Sequence, residues 1–173
     1  MKSLILSLFL ACEIFAVVLL SPLDAMQSSF AKGATISKES IVLTKEQASK
    51  IESLAKSKLE SKIVRIFFAK QEEKIIGYGI LLSQKVRSKN AVALYMIKPD
   101  GVIEAVEIVA FNEPLEYMPS STWNKEFAGK SGADELRSGK DIPTITGATL
   151  SARSITDAAR IALAIHNTLY GSN

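Results

Sequence analysis

Between residues 62 and 110 the chain strings four strand-length apolar segments together through short polar turns, and that run restricts the fold more than any other feature. Lys62 to Lys70 alternates, with Val64, Ile66 and Phe68 on one face and Ile63 and Phe67 on the other. Gln71 to Lys74 is a polar turn, and Ile75 to Gln84 is a second strand in which Gly77 and Gly79 flank Tyr78. Asn90 to Lys98 is nearly all apolar, the composition of a central strand. Pro99-Asp100-Gly101 is a strong turn signal, and Val102 to Ala110 returns as its partner.

Helices flank this block. Thr44 and Gln47 form a capping box, Leu43 and Ala48 can staple it, and Ala48, Ile51, Leu54, Ala55 and Leu59 recur at helical spacing. Phe111 to Pro119 reads as a loop. Ser120 or Ser121 then caps a short helix that sets Trp123 and Phe127 on one face and ends at Gly129. Lys130 to Thr144 is polar and loop-like, and Ile155 to Leu169 is the last helix, with Ala158, Ala162 and Leu169 on one stripe. The order predicts an α+β domain, a mostly antiparallel sheet with flanking helices, over residues 43–173.

Residues 1–25 read as a signal peptide or an N-terminal membrane anchor. Lys2 precedes the apolar run Ser3 to Leu20, and Ser21-Pro22-Leu23-Asp24-Ala25 breaks it and ends on a small residue. Glu13 interrupts the run, and Leu23 departs from the small-x-small cleavage pattern. Residues 26–42 read as a flexible lead-in. The expected address is the periplasm or the outer face of the cytoplasmic membrane. Cys12, the single cysteine, lies in the leader, so cleavage near Ala25 leaves no thiol for disulfide or metal chemistry.

A length of 173 residues with 47% hydrophobic content suits one core. The formal charge of +3 is spread among interspersed Lys, Arg, Asp and Glu, which argues against a nucleic-acid partner. His166, the only histidine, cannot build a metal site alone, and a place on the helix surface is expected for it.

The segment with chemical character is Pro143-Thr144-Ile145-Thr146-Gly147-Ala148-Thr149-Leu150-Ser151, just ahead of the last helix. A helix N-terminus presents unpaired N–H groups and the positive end of the dipole, which suit a phosphate. Gly147 lets the backbone approach a ligand, Thr146, Thr149 and Ser151 add hydroxyls, and Arg153 adds charge nearby. The plainer reading is that Ser and Thr here are only helix caps, with Ser154 and Asp157 as a capping pair. A Walker loop and a Rossmann fingerprint are both absent.

Thr146-Gly147-Ala148-Thr149-Leu150-Ser151, followed by Arg153-Ser154-Ile155-Thr156-Asp157-Ala158, resembles the flavinylation motif of the FMN-binding domain family. That family includes flavin-bearing components of the Rnf electron-transport complex and of the sodium-translocating NADH:quinone reductase. Asp100-Gly101-Val102-Ile103, Asn112 to Tyr117, Trp123 and Phe127-Ala128-Gly129-Lys130 extend the likeness over roughly residues 43–169. The resemblance implies FMN as cofactor, with Thr149 as the acceptor of a phosphoester made by a flavin transferase. It implies that Thr146, Gly147, Ala148, Leu150 and Ser151 shape the phosphate loop, and that Tyr117 lies near the ring. It implies electron transfer among membrane-associated redox proteins outside the cytoplasm, by a carrier rather than an enzyme with its own substrate. A flavin reductase of a small acceptor and a flavin-free binding module are the alternatives. The family pattern places Asp six residues before the acceptor, where this chain has Pro143, with Asp141 two residues earlier.

Trp123 and Phe127 are either ring-flanking aromatics or a core pair. Glu113 and Glu116 are read as solvated loop carboxylates, and Lys125 and Lys130 as solvated lysines within reach of a phosphate.

Overall fold

A computed structural model describes residues 17–171. Five strands run as an antiparallel meander: β2 (Thr35–Val42), β3 (Ile63–Gln71), β4 (Lys74–Lys85), β5 (Asn90–Ile97) and β6 (Ile103–Phe111). A two-residue strand, β1 (Val17–Val18), adds to the edge beyond β6. Each turn in the block follows from local chemistry. Glu72 and Glu73 both take positive φ, the geometry of a tight hairpin whose twist matches that of its strands. At the β5–β6 turn Gly101 has φ 82°, and the Val102 N–H donates to Asp100 Oδ1 at 3.1 Å. The apolar segment 90–97 lies in mid-sheet, between β4 and β6, as its composition requires.

Alternation sorts the strands onto two faces. Val64, Ile66, Phe68, Tyr78, Ile80, Tyr95, Ile97 and Val106 point toward α2 (Lys45–Ala55) and α4 (Thr149–Tyr170). The capping box at Thr44 and Gln47 opens α2 with both of its bonds made, at 2.9 and 3.2 Å. The helix ends at Lys56 in the left-handed region, short of Leu59. The short helix α3 (Ser121–Asn124) opens on Ser120, whose Oγ accepts the Trp123 N–H at 3.2 Å. Arg160 of α4 ties the layer together by donating to the carbonyls of Ala55 at 2.8 Å and Leu136 at 2.6 Å. The other face carries Phe67, Ala69, Leu94, Met96 and Val109 beneath α1 (Pro22–Ser29).

Three readings change here. The stretch read as a flexible lead-in holds the end of α1 and the whole of β2. An edge strand exposed on both faces carries no alternation, which is why Thr35–Val42 gives no strand signal. The last helix starts six residues before Ile155, at Thr149, because its buried stripe continues back through Ala152 and Ala148. His166 is buried, not on the surface: its ring packs edge-on to Tyr78 at 4.9 Å. Burial pushes its pKa down, opposed by the Asp100 carboxylate. Among the described residues, no helix is long and apolar enough to cross a membrane; the leader reading falls mostly on residues outside them.

Candidate functional site

The N-terminus of α4 has no side-chain cap. Its N-cap is Ala148, which has no side chain able to accept from the first turn. The preceding Gly147 has φ 80°, a conformation that glycine takes without strain. The Ala148 N–H donates to the Ile145 carbonyl at 3.0 Å, so the chain turns sharply into the helix. Thr149 and Leu150 are exposed on the first turn. Ser151 is 1% exposed, and its Oγ has no hydrogen-bond partner among the described residues. Leaving a buried hydroxyl unpaired costs free energy, so such a group is informative. Neighbouring hydroxyls do not close the gap. Ser154, read as a cap, instead donates to the Lys85 carbonyl at 3.1 Å, and Asp157 accepts from Arg160 at 2.9 Å.

Gly147 to Ser151 floor a cleft of ≈ 290 Å³ whose walls are Arg87 and Tyr117. Both walls come from afar. Arg87 sits in the β4–β5 turn, and Tyr117 in a 3-10 turn (Leu115–Tyr117) after β6. The guanidinium lies 5.2 Å from the Tyr117 ring centroid. Glu113 joins the two. Its buried carboxylate accepts the backbone N–H groups of Arg87 (3.1 Å), Ser88 (2.6 Å) and Lys89 (2.8 Å). Those bonds, led by that from Lys89, hold its pKa below the ordinary glutamate range despite burial. Glu113 is therefore a structural clamp rather than a solvated carboxylate, while Glu116 stays exposed.

The residues named from sequence divide into two groups. Thr149, Gly147, Ala148, Leu150, Ser151 and Tyr117 meet at one cleft. Thr146 is exposed one residue before it. Trp123 is buried behind the loop and packs edge-on to Phe127 at 5.2 Å. Its indole N–H donates to the Pro143 carbonyl at 2.9 Å, so it braces the loop from within and does not line the cleft. Asp141 is likewise engaged. Burial alone raises its pKa, but the N–H groups of Arg137 (2.7 Å) and Leu136 (2.9 Å) outweigh that and hold it low. Lys130 pairs with Asp134 at 3.5 Å and Asp141 at 3.8 Å, away from the cleft. Arg87 belongs to no motif that sequence reasoning finds. Its only signal is a basic residue in a turn, and the clamp that aims it lies 26 residues away.

Chemically, the cleft offers an unfilled helix N-terminus, one buried hydroxyl without a partner, one exposed hydroxyl, a guanidinium and an aromatic face. That set fits an anionic group attached to an aromatic one. Among the described residues, no group of three or more His, Cys, Asp or Glu side chains could hold a metal.

Residues 87–164 match the model of the FMN-binding domain, a span that contains every residue lining the cleft. A component of the Na(+)-translocating ferredoxin:NAD(+) oxidoreductase complex of Acetobacterium woodii is 25% identical over 118 residues, covering 62% of this chain and 57% of that protein. The chain thus matches little more than half of that relative's length. The family match supports FMN as the cofactor.

Proposed function

We propose that this chain, which carries an FMN-binding domain over residues 87–164, is an exported electron carrier whose flavin is joined to Thr149 through its phosphate. The observation that carries the reading is the first turn of α4, uncapped and holding the orphaned Ser151 hydroxyl inside the matched span. Thr149 is exposed on the first turn of α4, and it stands at the motif's acceptor position. Ser151 and the free N–H groups of the first turn hold the phosphate, and Arg87 supplies the opposing charge. Tyr117 gives the ring system an apolar wall. FMN, when bound, accepts and releases electrons, and the surrounding packing and hydrogen bonds set its potential. The electron donor and acceptor are membrane redox proteins on the outer side of the cytoplasmic membrane.

One feature favours a second reading, FMN held without the covalent bond. Position 143 carries no acid, and the oxygens of Asp141 are spent on backbone N–H groups. A visible spectrum separates the two. Protein co-expressed with a flavin transferase and then denatured keeps its yellow colour in the first reading and loses it on desalting in the second. A colourless parent protein rejects both.

A further inference from the structure

We propose that residues 17–30 stay in the mature protein as the cover of the sheet's second face, so that any leader removed on export ends ahead of Val17. The inference does not depend on the flavin reading. It rests on the two glycines of β4. A glycine inside a strand weakens it and commonly marks a close approach by another part of the chain. Gly77 and Gly79 lie on the same face, with Tyr78 between them pointing to the other. A Cβ on Gly77 would overlap the Phe30 ring, and a Cβ on Gly79 would overlap Met26 Sδ. The pair forms a floor without side chains, and the residues seated on it come from and just after α1.

The rest of the segment is bound in as well. Ala25 and Met26 are fully buried, in one apolar cluster with Phe67, Leu94, Met96 and Val109. Val17 and Val18 pair with Phe111 and Ala110, and the Leu19 N–H donates to the Val109 carbonyl at 2.9 Å. Cleavage after Ala25 would cut α1 between its two buried residues and strip the first half of the cover from an apolar sheet face. The sequence offers another stop. Ala16 is a small residue directly before Val17, with Ile14 in the outer position as Leu23 is for a stop at Ala25.

Two measurements test this. The full chain is produced with its own leader in a host that exports it, and the intact mass of the isolated protein gives its N-terminus. A start at or ahead of Val17 is expected, and any start downstream of Val17 overturns the proposal. Docking in solution is read by thermal unfolding of Gly77→Ala in the parent and in a Phe30→Ala background. The substitution lowers the Tm in the parent and lowers it much less once the Phe30 ring is gone. An equal loss in both backgrounds overturns the proposal.

Discussion

Helices α2 and α4 pack side by side on one face of the sheet, yet their N-termini are finished in opposite ways. At α2, Thr44 and Gln47 close the end with two reciprocal bonds, and the chain enters from an ordinary extended residue. At α4 the cap is an alanine, the entering residue is a glycine at φ 80°, and a buried serine hydroxyl has no partner. The first arrangement serves stability. The second forgoes about as much stability as a cap contributes, roughly 1 kcal/mol, and keeps free donors beneath a cleft. Capping residues are abundant around both ends, so the open one reflects where the backbone places them: Ser154 and Thr156 are already inside α4.

Substitutions at the two ends sharpen the contrast. The largest effect is expected from Thr149→Ala, which removes the proposed acceptor oxygen. Flavin absorbance per chain should vanish after denaturation, while circular dichroism of the apoprotein is unchanged. Next is Gly147→Val. No atom crowds that position, so its cost is conformational: about 1–2 kcal/mol for forcing a side chain into the left-handed region. Urea unfolding measures this, and flavin loading should fall with it.

The serine and threonine pair gives the sharpest test, because the signs oppose. Thr44→Ala should destabilise by about 1 kcal/mol and leave flavin loading alone. Ser151→Ala should leave the apoprotein neutral or stabilise it by up to about 1 kcal/mol, since an unpaired buried hydroxyl is removed, and should reduce flavin loading. Equal destabilisation at both positions would erase the distinction between a closed and an open end.

The smallest effect concerns pH. The lowered pKa of Glu113 means that its grip on the 87–89 turn is complete above the ordinary glutamate range and is lost as pH falls through the lowered value. The environment of the flavin ring, read by its fluorescence, should therefore hold through mild acid and change only below it. Glu113→Gln should show the changed environment already at neutral pH.

How much of this is legible in the sequence depends on how local the signal is. The meander, its turns and the capping box at Thr44 rest on neighbours within a few residues, and the structure has them where the pattern puts them. The start of α4 is misplaced by the pattern because hydroxyl-rich residues favour loops and caps locally, whereas the buried stripe from Ala148 to Ala152 and Ile155 extends the helix. Arg87 and the role of Glu113 stay hidden because three N–H bonds joining a turn to a loop leave no periodic trace. Helix α1 is split in the sequence reading between the leader's end at Ala25 and the lead-in, because Pro22 to Ser29 carries few apolar residues and only the sheet beneath Ala25 and Met26 shows why it folds. The glycines at 77 and 79 are visible, but only the seated Met26 and Phe30 explain them.

The most direct test of an open helix end that holds flavin is tandem mass spectrometry of the holoprotein digested with trypsin. The peptide spanning residues 141–153 should carry the mass added by esterified FMN, with fragment ions placing it on Thr149. Flavin found on another residue, or a yellow protein whose Thr149→Ala variant binds as much flavin as the parent, would contradict the account.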